Sequence, residues 1–163
     1  MAREHYIFAL TAVMALSIGV LVYLLDRQPE HVYFIPHTLV IPHNSYAVFG
    51  HIGNQLPTFV HVYAFTLLTV AIIGSGPYLT PTVCAAWTVI DCLFEIGQQT
   101  QVAQWLSSFI PEWFQGLPFL EVTSSYFRFG TYDVLDIVSI LLGAFMAYLT
   151  ILFLDQRRAG NVK

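Results

Sequence analysis

Four long apolar segments separated by polar or glycine-rich breaks run along the chain. They extend over residues 6–25, 57–73, 81–100 and 132–154. Inside a bilayer only helices and closed barrels satisfy every backbone group, and an apolar run of about 17 to 25 residues is long enough to cross as a helix. The pattern therefore predicts an all-α membrane protein, with about four transmembrane helices forming a small bundle in a single domain, residues 1–163.

The ends of these segments carry helix and turn signals. Pro57 predicts the start of the second helix, because its missing N–H costs nothing at that position. The segment Gly74-Ser75-Gly76-Pro77 predicts a tight hairpin between the second and third helices. The first segment is long for the apolar part of a signal peptide and ends in Leu-Leu-Asp-Arg, not in small residues, so we interpret it as an uncleaved anchor.

Composition agrees with a membrane environment and narrows the partners. Only 10% of the 163 residues are charged and the mean hydropathy is +0.66, whereas about a quarter of a soluble domain is charged. The sequence has ten acidic and six basic residues. It contains no basic stripe that could neutralise a row of phosphates, so no nucleic-acid partner is expected. We expect membrane lipids as partners, with other membrane subunits as a further option. No cofactor or metal is predicted, and Cys84 and Cys92 are interpreted as packing residues.

The basic residues predict an orientation. Arg3, Arg157, Arg158 and Lys163 lie at the two termini, while the long 26–56 and 104–131 connections hold only Arg27 and Arg128. Because cytoplasmic loops are enriched in Lys and Arg, both termini are expected in the cytoplasm and both long connections outside.

The second of these connections is rich in aromatic side chains. Aromatic rings favour the head-group zone of a bilayer, so we interpret both connections as interfacial segments along the membrane surface. A lid or a partner surface is the alternative. The aromatic residues concerned are Trp105, Phe109, Trp113, Phe114 and Phe119.

Polar residues on the third helix form one stripe. Asp91, Glu95 and Gln98 are spaced i, i+4, i+7, which confines them to an arc of about 60° at 100° per residue. A lone ionisable group inside a span is costly, so a stripe of this kind indicates partners or a water-filled cavity.

Two further helices bring polar groups towards the same depth. Thr131 is the expected N-cap of the fourth helix, which places Asp133 and Asp136 near its first turn. His61 is expected about one turn inside the second helix. These residues predict an outward-facing polar cluster with the stripe of the third helix, and Arg128 is its expected counter-ion.

Small residues continue along the fourth helix. Gly143 and Ala147 share a face with Asp136 and Ile140, and small side chains let helices approach closely in membranes. We therefore expect a packing seam below the acids.

Three segments carry a family resemblance. Leu-Pro-Thr-Phe-Val-His61-Val-Tyr-Ala-Phe, Glu95-Ile-Gly-Gln98 and Arg128-Phe-Gly-Thr-Tyr-Asp133-Val-Leu-Asp136-Ile-Val-Ser139-Ile-Leu-Leu-Gly143-Ala resemble the signature segments of VanZ-like membrane proteins over about residues 55–150. Thr58 and Ser139 stand where the family commonly has a basic residue and Asn, and the connection from Gln98 to Arg128 is longer than the family's.

The resemblance implies a small helical protein in the inner membrane of a bacterium, associated with the cell envelope. It also implies which residues occupy the family's characteristic positions: His61, Glu95, Gln98, Arg128, Asp133, Asp136 and Gly143.

Three functions stay open from the sequence. The first is an accessory protein that binds a lipid or glycolipid-like head group in the outward polar pocket, with Arg128 and His61 at the head group. The second is a structural subunit of a larger membrane complex, docked through the aromatic connections. The third is an enzyme acting on a lipid-linked substrate through carboxylate acid–base chemistry; the chain carries no Gly-x-Ser-x-Gly, His-Glu-x-x-His or phosphate-loop motif that would name its reaction.

Overall fold

The computed structural model describes residues 2–27, 47–118 and 120–161. This part of the chain forms six α-helices and one 3₁₀ turn, Glu112–Phe114, with no strand. The helices are α1 Ala2–Asp26, α2 Ile52–Ile73, α3 Leu79–Gly97, α4 Thr100–Phe109, α5 Thr123–Phe129 and α6 Val134–Asn161.

Four of the helices are long and apolar enough to cross a membrane. The candidate spans are His5–Asp26, Ile52–Ile73, Leu79–Gly97 and Val134–Arg157, in helices α1, α2, α3 and α6. The prediction of an all-α membrane bundle is therefore confirmed.

Helix α2 is the centre of the bundle and contacts α1, α3 and α6. Consecutive spans run antiparallel: Gly19 of α1 lies against Val60, and the indole of Trp87 on α3 donates a hydrogen bond to Thr69 near the other end of α2. A cluster of buried side chains joins the four spans: Phe8, Ala12, Ala64, Leu67, Val70, Val83 and Ile151. Both described chain ends therefore lie on the side of the α2–α3 hairpin.

The α2–α6 contact depends on small residues. Gly143 is buried, and a Cβ placed on it would lie 2.5 Å from the carbonyl oxygen of Phe59. One turn further along α6, Ala147 has no exposed surface. The backbones of α2 and α6 therefore approach closely at Gly143, one of the two positions of the expected seam.

Two helix-start signals of the sequence, Pro57 and Thr131, do not mark the helix starts of the structure. Helix α2 begins at Ile52, five residues before Pro57, so Pro57 lies inside it. A proline removes the bond that its own N–H would make to the carbonyl four residues earlier, and its ring crowds that carbonyl. The turn before Pro57 is nevertheless helical. Helix α6 begins at Val134, and its N-cap is Asp133, not Thr131: the Asp133 carboxylate accepts the Leu135 N–H at 2.9 Å.

The connection from α3 to α6 is itself partly helical. Helix α4 starts three residues after α3 ends, so it lies at the end of that span. Its Ala103 packs inwards, whereas Trp105 and Phe109 are largely exposed and stack edge-to-face at 4.9 Å. Trp113 is exposed as well. Most of the other long connection, residues 28–46, and Phe119 lie outside the described residues.

Replacing Gly143 with Ala should destabilise the bundle by about 1–3 kcal/mol, because the added methyl group must push α2 and α6 apart. The free energy of unfolding can be measured by titrating the protein in mixed micelles with dodecyl sulfate and following helicity. Gly76→Ala is the matched control, since a Cβ at Gly76 meets nothing closer than 3.8 Å. Equal stability of the two variants would contradict the close approach at Gly143.

Candidate functional site

Polar side chains converge at one end of the bundle, where α2 begins, α3 ends and α6 begins. Hydrogen bonds between side chains or from side chain to backbone connect them in pairs across these three helices. We call this group the polar cluster; its members are Gln55, Thr58, His61, Asp91, Glu95, Asp133 and Asp136.

The deepest members are His61 and Asp91. The imidazole Nδ1 of His61 lies 2.7 Å from a carboxylate oxygen of Asp91. Asp91 is only 6% exposed, whereas the His61 side chain is 46% exposed. Because α2 starts at Ile52, His61 lies nine residues into the helix, about 13 Å along its axis at 1.5 Å per residue. The expected depth of one turn was therefore too shallow.

Aromatic side chains hold the imidazole in place. The His61 ring centroid lies 4.3 Å from that of Phe65, and the Trp87 ring meets it edge-on. Trp87 is fixed in turn by its hydrogen bond to Thr69 at 2.9 Å. Since Nδ1 faces Asp91, the second ring nitrogen of His61 is left without a hydrogen bond from the described part of the chain.

Glu95 connects α3 to the start of α6. One of its carboxylate oxygens accepts the backbone N–H of Asp133 at 2.7 Å. The Asp133 carboxylate caps α6 through the Leu135 N–H and also accepts a hydrogen bond from the Gln55 side chain at 3.3 Å. Asp133 is therefore a helix cap that also joins α6 to α2.

Asp136 also faces α2. It accepts a hydrogen bond from the Thr58 hydroxyl at 3.0 Å. Among the described residues, Arg27, directly after α1, is the arginine whose charge acts on Asp136. Arg128, the counter-ion expected from the sequence, is exposed and forms no ion pair within the described residues.

Gln98 turns away from the carboxylates towards α5. Its side-chain amide donates a hydrogen bond to the Tyr126 hydroxyl oxygen at 3.0 Å, and Gly130 packs against it. Burial raises the pKa of Tyr126, and the nearby Tyr23 and Glu95 raise it further. The phenol is therefore neutral at physiological pH. The structure brings His61, Asp91, Glu95, Asp133 and Asp136 together, but not Arg128.

A second polar contact fixes the end of α1. Both Asp26 oxygens accept backbone N–H groups, from Val48 and from Phe49, each at 2.7 Å. Arg27 donates to the Asn54 carbonyl at 3.0 Å. These bonds hold the chain where it enters α2, beside the polar cluster.

Sequence reasoning missed several of these groups. Gln55, Thr58 and Arg27 were not predicted as site residues, nor was Tyr126. A signal existed for two of them: Gln55, Thr58 and His61 follow an i, i+3, i+6 pattern, which places them along one side of a helix if that helix begins before Pro57.

A metal site has no support among residues 5–27, 47–118 and 120–157, where no three His, Cys, Asp or Glu side chains are close enough to hold one ion. His31, His37 and His43 lie outside the described residues. A shallow groove of about 410 Å³ runs along α1, lined by Val13, Leu16, Ser17, Val20 and Leu21, and shares no residue with the polar cluster. Its lining is apolar apart from Ser17.

Searches with family models, curated proteins and solved structures find no match to the chain. The resemblance to VanZ-like proteins therefore stays a prediction that depends on the three segments quoted above.

Replacing His61 with Phe should destabilise the bundle by about 1–3 kcal/mol, because the buried Asp91 carboxylate loses its partner. Adding Asp91→Leu to this variant should recover part of the loss, since no unpaired acid then remains. Unfolding in mixed micelles can be followed through the fluorescence of Trp87, which touches His61, in a Trp105→Phe, Trp113→Phe background. A His61→Phe variant as stable as its parent would refute a structural role for the pair.

Proposed function

We propose that this protein is a cell-envelope accessory protein of a bacterial inner membrane, which binds the head group of a lipid or glycolipid through the polar cluster. One observation carries the proposal: polar atoms of the cluster on three helices have no hydrogen-bond partner among the described residues, although each lies within a candidate span. These atoms are the second nitrogen of His61 and one oxygen each of Glu95 and Asp136.

The depth of the cluster supports a lipid ligand. Asp136 lies in the first turn of α6, while His61 lies about 13 Å along α2. The cluster thus extends from the head-group layer into the outer part of the hydrocarbon layer, whose total thickness is about 30 Å. A molecule that reaches both levels is an amphiphile held in the bilayer.

The partly exposed imidazole gives a second argument. Polar groups within membrane spans usually contact polar partners, water-filled cavities or other protein, because a polar group without a hydrogen-bond partner in lipid costs free energy. His61 is 46% exposed on the bundle surface. A bound head group would give its free nitrogen a partner.

A structural subunit of a larger complex is the second candidate. It is favoured by the exposed aromatic side chains of Trp105, Phe109 and Trp113, since aromatic residues are enriched at protein interfaces. A purely structural role makes no use of the cluster's polar atoms that lack a partner among the described residues, and for that reason we place it second.

The proposed orientation puts the cluster at the outer face and both termini in the cytoplasm. The distribution of basic residues supports it, with Arg27 and Arg128 as the only bases in the long connections. A reporter active only in the cytoplasm, fused after Lys163, should be active, and the same reporter inserted after Gln115 should not. The opposite pair of results would reverse the orientation and place the cluster at the cytoplasmic face.

Native mass spectrometry of the protein, extracted gently from its membrane, should show a retained lipid of defined mass. Occupancy should fall about tenfold on Asp136→Ala, because a hydrogen bond to a charged group contributes about 1.5–3 kcal/mol. Asp155→Ala is the matched control: Asp155 also lies on α6 and accepts a hydroxyl bond, from Ser75, but at the opposite end.

Equal loss in both variants would indicate general destabilisation instead of a head-group site. Copurified subunits in fixed stoichiometry, unaffected by Asp136→Ala but lost on Trp113→Ala, would move the assignment to the structural subunit.

A further inference from the structure

The unoccupied hydrogen-bonding capacity of the polar cluster consists mainly of acceptors. Glu95 uses one oxygen for the Asp133 N–H, and its other oxygen accepts no hydrogen bond from a described residue. Asp136 likewise uses one oxygen for Thr58. Asp91 faces His61 with one oxygen, while its other oxygen is buried without a donor.

Glu95 is the most informative of the three acids. Its side chain is only 5% exposed. The second carboxylate oxygen of Asp91 is fully buried and has no donor. The second oxygen of Glu95 does not belong to this fully buried class. A nearly buried carboxylate therefore keeps one acceptor oxygen that no described donor occupies, at the end of α3 beside α6.

The acidic side chains of the cluster also disfavour an anionic ligand. Four acids lie together here: Asp91, Glu95, Asp133 and Asp136. Among described residues, Arg27 is the arginine whose charge acts on Asp136, and its side chain already donates to the Asn54 carbonyl. An anionic group placed here would face the carboxylates at short range and would be repelled. A group with N–H or O–H donors would satisfy the open oxygens.

A metal cation is a poorer occupant than such donors. The acids are spread along α3 and α6, and no three candidate ligands in the described ranges can reach one ion. Several donors on one extended head group match separated acceptors better than one point charge does.

We infer that the polar cluster recognises the hydrogen-bond donors of its lipid, either sugar hydroxyls or an amine, and not a phosphate. The inference depends on the proposed function and names the chemistry of the ligand. It also changes the role given to Arg128, which has no part in the recognition.

The test uses nanodiscs of phosphatidylcholine, whose head group has no N–H or O–H donor. Three lipids with the same acyl chains are added in equal small amounts: a monoglucosyl diacylglycerol, phosphatidylethanolamine, and phosphatidylmethanol, which is anionic and has no donor. Native mass spectrometry of the protein released from the discs gives the enrichment of each lipid over its share in the disc. The glucosyl lipid and phosphatidylethanolamine distinguish hydroxyl from amine recognition.

The full-length protein should enrich a donor-bearing lipid, and Glu95→Gln should lower that enrichment about tenfold. The amide oxygen of Gln can keep the bond from the Asp133 N–H, while its NH₂ group replaces the open acceptor with a donor. Glu112→Gln, at an exposed acid in the 3₁₀ turn, should leave the enrichment unchanged.

Two other outcomes would be decisive. If phosphatidylmethanol is enriched and this enrichment falls on Arg27→Gln, the donor inference is overturned and a lipid-binding function stands. If none of the three lipids is enriched over its share in the disc, the proposed function falls together with the inference.

Discussion

The hydrogen bond from the Asp133 backbone to Glu95 determines where the fourth span begins. The connection between α3 and α6 is long, and only a specific contact can fix the position at which the chain re-enters the bundle. Glu95 provides it near the end of α3, at 2.7 Å. With its N–H bound there, Asp133 can turn its carboxylate to the Leu135 N–H and cap α6. The cap in turn places Asp136 one turn along the helix, opposite Thr58.

This contact explains why a carboxylate is tolerated inside the bundle. A buried acid without donors would cost several kcal/mol or lose its charge. Glu95 avoids much of this cost because the first N–H groups of a helix have no partners within the helix and carry partial positive charge. The end of α3 and the beginning of α6 therefore stabilise each other, and the acid belongs to the fold before any ligand is considered.

The number of membrane-spanning helices could be predicted because it depends on local runs of apolar residues. The short helices α4 and α5 were not predicted. The positions of the site residues depend on where the helices begin, and tertiary contacts determine those starts. Pro57 gave a plausible local start, but Asp26 binds the backbone of Val48 and Phe49 and holds the chain so that α2 can begin earlier. The stripe of Asp91 and Glu95 was predictable from helical spacing, whereas the pairing of His61 with Asp91 needed the register between α2 and α3.

The choice of counter-ion shows the same limit. Arg128 was the nearest base along the chain to Asp133 and Asp136, and sequence proximity suggested the pair. In the structure Arg128 is exposed on α5, and the arginine whose charge acts on Asp136 is Arg27, directly after the first span. Arg27 reaches this end of the bundle because α1 packs against α2 and its side chain binds the Asn54 carbonyl.

In the proposed function, the carboxylates divide their oxygens between folding and recognition. In both Glu95 and Asp136, one oxygen holds a neighbouring helix and the other has no donor from the described chain. An acid used in this way is positioned by the fold itself, so a ligand that meets the open oxygen does not have to order the side chain first. The close packing of α2 and α6 at Gly143 keeps Thr58 and Asp136 in reach of each other. The close packing at Gly143, about two turns after Asp136 on α6, thus helps to hold the cluster's geometry.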